Sequence, residues 1–301
     1  MKQQQLNGTG VALVTPYRQG KIDFDALERI IEHVISGGVD FIVSLGSTGE
    51  AIMLTTPECK EVFKFTLQKI KGRVPVVAGL FGANSTLHLI ERVRNYAPEL
   101  KGFAAIMSSS PSYVKPTQEG IFQHYMALEA ASPLPIIIYN VPGRTASNVS
   151  ADTTLRLARA STKFIAVKEA SGQMDQIVSI IKHKPEGFTV LSGDDSLTLP
   201  IIACGGSGVI SVIANALPEQ FSGMVRAALS GDFDTARRLN LDLHDIHPLL
   251  YVDGNPAGIK AMMSLMGLCT GEVRLPLVPI RPSTEEQLKA EMEKLLALAT
   301  V

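Results

Sequence analysis

Eight short apolar runs, rich in β-branched residues, recur along the chain at residues 10–16, 41–46, 74–81, 102–108, 135–142, 164–171, 188–194 and 208–214. Runs that stay apolar throughout suit parallel strands covered on both faces, because a half-exposed strand alternates apolar and polar side chains. Between the runs lie segments with helical spacing. In one, Phe24, Leu27, Ile30, Ile31 and Val34 form a stripe, with Glu28, Arg29 and Glu32 on the opposite face; such a stripe seats a helix on a sheet. Eight strands joined by crossover helices predict an α/β chain folded as a closed (β/α)₈ TIM barrel rather than an open doubly wound sheet. The glycine-rich turn of a dinucleotide-binding sheet is absent after the first run.

Past the eighth run, residues 217–230, 232–249, 256–266 and 284–299 read as helices, more than a barrel needs to close. The expected organisation is therefore a barrel catalytic domain over residues 1–230 and a C-terminal helical extension over 231–301. Pro276, Pro279 and Pro282 make the stretch before the last helix a linker, since proline interrupts both helices and central strands.

Composition narrows the function classes. With 28 basic against 29 acidic residues the formal charge is -1, which gives no basic excess for nucleic acid or an anionic membrane. No apolar run reaches the roughly 18 residues of a membrane span, and the polar segment 1–8 lacks a signal peptide's apolar core. These features predict a cytoplasmic protein. Cys59, Cys204 and Cys269 are far apart and show no CxxC spacing, so buried, inert thiols are expected and no metal site.

In barrel enzymes the chemistry sits where the strands end. Here the second run ends in Gly46-Ser47-Thr48-Gly49-Glu50, the fifth in Tyr139-Asn140-Val141-Pro142-Gly143-Arg144-Thr145, the sixth in Lys168-Glu169-Ala170-Ser171-Gly172 and the seventh in Ser192-Gly193-Asp194-Asp195. Lys168 emerges from the apolar Phe164-Ile165-Ala166-Val167, where desolvation disfavours a charged amine, and a neutral amine is what attacks a ketone. It is a candidate Schiff-base former; alone, it could equally be a strand-end lysine reaching for water. Tyr139, one strand away, could pass protons as a phenol or merely cap a core strand. Ser47 and Thr48, in a glycine-flanked turn, could hold a carboxylate.

Taken in order, Gly8-Thr9-Gly10-Val11-Ala12-Leu13-Val14-Thr15-Pro16, the Ser47-Thr48 turn, Tyr139-Asn140-Val141-Pro142, Lys168-Glu169-Ala170-Ser171-Gly172 and Gly208-Val209-Ile210-Ser211-Val212 resemble the dihydrodipicolinate synthase and N-acetylneuraminate lyase family of class I aldolases. The resemblance covers nearly the whole chain. It implies that Lys168 forms the Schiff base with pyruvate, that Tyr139 shuttles protons, and that Thr48 connects Tyr139 to Tyr113, a tyrosine lent across a dimer interface. It further implies that Ser47, Gly193 and Ile210 help bind pyruvate, and that Arg144, within Gly143-Arg144-Thr145, binds the carboxylate of aspartate semialdehyde. That arginine resembles the synthase branch, whose product feeds lysine and diaminopimelate biosynthesis. The implied assembly is a homotetramer built as a dimer of dimers, with no metal or organic cofactor.

Two other readings stand beside it. One is a pyruvate-dependent aldolase acting on a sugar acid, such as N-acetylneuraminate lyase or a keto-deoxy sugar acid aldolase, for which Arg144 discriminates. The other is a non-catalytic barrel, which the presence of both Lys168 and Tyr139 opposes. The stretch Asn255-Pro256-Ala257-Gly258-Ile259-Lys260 departs from the family pattern, where another proline is frequent; lying in the helical region, it leaves the chemistry intact on this reading. The positions matching the family's lysine-inhibition site are His88, Ser112 and Thr56 or Cys59, with Asn84 kept. Loss of the acidic and aromatic groups there implies weak or absent inhibition by lysine.

Overall fold

The computed structural model describes residues 6–298. Eight parallel strands close into a barrel: β1 (Gly8–Ala12), β2 (Phe41–Ser44), β3 (Val76–Ala78), β4 (Ala105–Ser109), β5 (Ile136–Asn140), β6 (Phe164–Glu169), β7 (Thr189–Ser192) and β8 (Gly208–Ser211). β1 completes the ring by pairing with β8 in the register Gly8↔Gly208 and Val11↔Ser211. Every expected run overlaps a strand, and all eight strands are shorter than their runs. In the third, Leu80 and Phe81 leave the sheet and stay buried, Phe81 meeting the edge of Tyr96 at 6.2 Å between centroids. A two-stranded ribbon, Tyr17–Arg18 against Lys21–Ile22, was not expected from the sequence.

The strand period of two sorts side chains into two apolar shells. Along β5, Ile136 and Ile138 pack outward under the helices, whereas Ile137 and Tyr139 join Phe41, Val43, Val77, Met107, Leu191 and Ile210 inside the barrel. Gly10 makes room for this filling, because a Cβ there would lie 2.2 Å from the Phe41 ring. The helix Phe24–Ser36 buries Leu27, Ile30, Ile31 and Val34, the stripe read from the sequence. Thr55 and Glu58 form a capping box at the start of Thr56–Ile70, a device whose loss costs about 1 kcal/mol.

Beyond the crossover helix Pro218–Ser230, the extension differs from expectation in two places. The single helix expected over 232–249 is two, Phe233–Leu243 and Ile246–Leu249, because Pro248 has no N–H to donate and its ring would clash with the carbonyl of His244. The last helix, Pro282–Leu298, starts two residues early, since the first turn of a helix tolerates proline; its expected end at residue 299 lies outside the described residues. Cys59 and Cys269 are buried as expected and burial pushes the Cys269 thiol up to about 11, but Cys204 is exposed. It follows the short helix Thr198–Ala203, at a turn on the surface. No helix among the described residues is long and apolar enough to cross a membrane.

Candidate active site

The strands deliver their C-terminal residues to a cavity of about 880 Å³, whose wall includes Ser47, Thr48, Tyr139, Arg144, Lys168 and Gly193. A second cavity of about 460 Å³ adjoins it and shares Ser47, Tyr139 and Arg144. Lys168 and Tyr139 are register partners on adjacent strands, so both point inward at one level. Lys168 is 5% exposed and its Nζ lies 4.5 Å from the centroid of the Tyr139 ring. Among the described residues no carboxylate lies within ion-pair distance of Lys168.

One residue further along each strand the side chains turn outward and tie the strand ends together. Asn140 Nδ2 donates to both oxygens of the buried Glu169 at 3.0 and 3.1 Å, and Glu169 also accepts from Ser171 N at 2.8 Å and Gln176 Nε2 at 3.1 Å. This outer network fixes the inner Tyr139–Lys168 pair, because a strand cannot rotate one face without the other. Gly193 allows β6 and β7 to end in contact: a Cβ there would sit 2.7 Å from the Ala170 Cβ. Its own N–H donates to Glu169 O at 2.7 Å.

Arg144 stands in the short helix Pro142–Thr145 at the end of β5, with its guanidinium exposed to both cavities. Its Nη2 donates to the Asn255 carbonyl at 3.5 Å. The helix is anchored from beneath, where Thr145 Oγ1 donates to Ser147 O at 2.8 Å and Ser147 Oγ to Pro111 O at 2.9 Å.

Not every residue singled out in the sequence converges here. Ile210 is buried inside the barrel but is not on the cavity wall, which carries Val212 two residues later. Thr48 Oγ1 accepts from Asn255 Nδ2 at 3.1 Å rather than joining Tyr139 to Tyr113 within the chain. Tyr113 is 88% exposed, with a left-handed backbone at φ 71, and lies off the cavity wall. His88, Thr56 and Cys59 line a separate cavity of about 320 Å³, and Ser112 lines the second one.

The extension supplies what sequence reasoning missed. His244, His247, Tyr251, Asn255 and Leu277 all line the main cavity, so the stretch 255–260 begins at the site, through Asn255, rather than standing apart from it. The Asn255-Pro256 motif was the available signal. Behind this wall Asp195 is fully buried and accepts from Val212 N at 3.0 Å and Ile213 N at 2.8 Å. Burial pushes its carboxyl above the usual range, opposed by His247 and by those N–H donors. Burial likewise pushes the His247 imidazole down, opposed by Asp195.

Chemically the arrangement offers a buried primary amine without a counter-ion, a phenol beside it, a hydroxyl-bearing turn and one cation at the rim. Those parts suit covalent capture of a small keto acid next to a site for a second anion. The family described as Dihydrodipicolinate synthetase family matches residues 5–295. A 4-hydroxy-tetrahydrodipicolinate synthase from Parabacteroides distasonis is 46% identical over 291 residues, covering 96% of this chain and 97% of the relative. One from Phocaeicola vulgatus is 45% identical, covering 98% and 99%. The crystal structure of a dihydrodipicolinate synthase from Aquifex aeolicus superposes with a TM-score of 0.91 at 39% identity, covering 96% of this chain and 98% of that one.

Proposed function

The chain belongs to the dihydrodipicolinate synthetase family, and from that premise we propose that it condenses pyruvate with aspartate 4-semialdehyde, the activity of a 4-hydroxy-tetrahydrodipicolinate synthase, in the cytoplasm. The observation that carries this reading is Lys168 itself, buried beside Tyr139 at the cavity wall with no carboxylate to hold its amine.

The Lys168 amine adds to C2 of pyruvate and water leaves, giving an imine. Loss of a proton from C3 then gives an enamine, with the protonated imine nitrogen acting as the electron sink. The enamine carbon attacks the aldehyde carbon of the second substrate, whose oxygen takes up a proton. Attack of that substrate's own amine on the imine carbon closes the ring and releases Lys168. The water lost in the first step is the only one lost overall. Tyr139 is placed to carry the protons. Ser47 and Thr48 face the pyruvate carboxylate, with Gly193 on the same wall, and Arg144 binds the carboxylate of the aldehyde substrate. No step requires a metal or organic cofactor.

Tyr113 completes the site from a second copy of the chain. Its exposure, together with that of Ile52, Leu87 and Val114 at 86%, 63% and 55%, supports an interface on this side of the barrel. The assembly is then a dimer of dimers. Inhibition by lysine is weak or absent, so free lysine at submillimolar concentration does not halve the rate at saturating pyruvate.

The test is an assay of the purified protein with pyruvate and aspartate semialdehyde, run beside pyruvate with N-acetylmannosamine. Turnover of the first pair supports the reading; turnover of only the second moves the chain to the sugar-acid branch.

A further inference from the structure

We propose that the buried Glu50–Lys260 ion pair is a positioning device, through which the C-terminal extension sets the Ser47–Thr48 turn for the carboxylate of the 2-oxo acid. The proposal rests on the reading of that turn as the pyruvate carboxylate site.

The turn is bracketed by two non-glycine residues in the left-handed region, Leu45 at φ 57 and Glu50 at φ 54. Such residues persist only where their surroundings over-determine them. Within the turn Gly49 N donates to Gly46 O and Glu50 N to Ser47 O, both at 3.1 Å. The stronger hold comes from outside. Glu50 and Lys260 are both fully buried and paired to each other. The second Glu50 oxygen accepts from Arg274 N at 3.0 Å, and Arg274 is itself forked onto Glu58 at 2.9 and 2.6 Å. Lys260 Nζ also donates to Glu272 O at 3.0 Å and lies 4.0 Å from the centroid of the Tyr17 ring. Five residues before Lys260, Asn255 grips Thr48 directly. One segment of the extension therefore holds the turn at two points.

A buried ion pair adds little stability over an apolar pair of similar volume, and its best-attested use is to fix one arrangement. Replacing both partners separates the two roles. In the Glu50→Gln, Lys260→Met double variant no charge is left unpaired, so the thermal midpoint stays within a few degrees of wild type. The pyruvate KM rises by about tenfold, while the KM for aspartate semialdehyde and kcat at saturating pyruvate stay within about threefold. Glu50→Asp, which keeps the charge but draws the carboxylate back by one methylene, shows a smaller rise in pyruvate KM and serves if the double variant does not fold. A folded double variant, or a folded Glu50→Asp, with pyruvate KM within twofold of wild type would overturn the proposal. So would a loss of apparent kcat that tracks the folded fraction with both KM values unmoved. Borohydride trapping of pyruvate by the wild-type protein distinguishes the underlying reading: if no saturable adduct forms, that reading fails; if one forms and the variant KM is unmoved, only the positioning role fails.

Discussion

Among the described residues two lysines are buried, and the regions around them differ in two respects. Both hold Nζ over a tyrosine ring, Lys168 at 4.5 Å from Tyr139 and Lys260 at 4.0 Å from Tyr17. Lys260 is buried among polar partners, with Glu50 and the Glu272 carbonyl taking its hydrogens. Burial draws its ammonium below the usual lysine range and Glu50 opposes that. Lys168 has the same burial, no such partner, and a cavity in front of it. Burial alone does not tell the two apart, and the nucleophile proposed above is the one with no counter-ion and open space before it.

Substituting the two lysines is the widest way to break this contrast. Lys168→Ala abolishes covalent trapping of pyruvate and condensation while the unfolding midpoint moves little. An adduct retained in that variant would mean that another amine reacts. Next in size is Tyr139→Phe, which keeps pyruvate trapping but lowers kcat by roughly 10²–10⁴ for loss of a general acid–base hydroxyl; kcat within a factor of two would reduce Tyr139 to a core residue. Lys260→Ala has the opposite signature to Lys168→Ala. It strands Glu50 as an unpaired buried charge, costing about 3–5 kcal/mol of stability in denaturant titrations, yet the folded fraction still traps pyruvate at Lys168.

Arg144→Ala reaches the rim rather than either buried region. It raises KM for aspartate semialdehyde about tenfold to a hundredfold, as expected for a lost charged hydrogen bond of roughly 1.5–3 kcal/mol, and leaves pyruvate trapping intact. Steady-state kinetics in both substrates checks it, and an unchanged KM removes the case for this second substrate. The smallest effect belongs to His124, a buried imidazole that is lowered to about 4 by burial. The folded value lies below the unfolded one, so the unfolded chain binds the proton first. Its stabilising effect is full above about pH 6.5 and is lost as pH falls towards 4, about 2 kcal/mol of it between pH 7 and 5. His124→Gln flattens that part of the stability profile, measured by urea midpoints at the two pH values.

What the sequence made legible follows from range. The eight strands, the inward Lys168 and Tyr139 and the exposed Arg144 are set by period-two alternation and by strand ends, which a local reading can see. The Glu50–Lys260 pair and the Thr48–Asn255 contact join residues 210 and 207 positions apart, and no local pattern announces such a meeting. The division expected at residue 230 follows the helix Pro218–Ser230 that closes the eighth unit. The cavity wall crosses it, because His247, Asn255 and Leu277 cover the open end of the barrel. Ile210 enters the reading only through the family resemblance, as a backbone contact; its side chain packs inside the barrel, and Val212 stands on the cavity wall.

The central contrast is tested most directly by mapping the adduct. Wild-type protein is incubated with pyruvate, reduced with borohydride, digested and sequenced by mass spectrometry. The account predicts one modified lysine, Lys168, at a stoichiometry near one per chain, with the Lys260 peptide unmodified. A pyruvate adduct on Lys260, on an exposed lysine, or on none would contradict it.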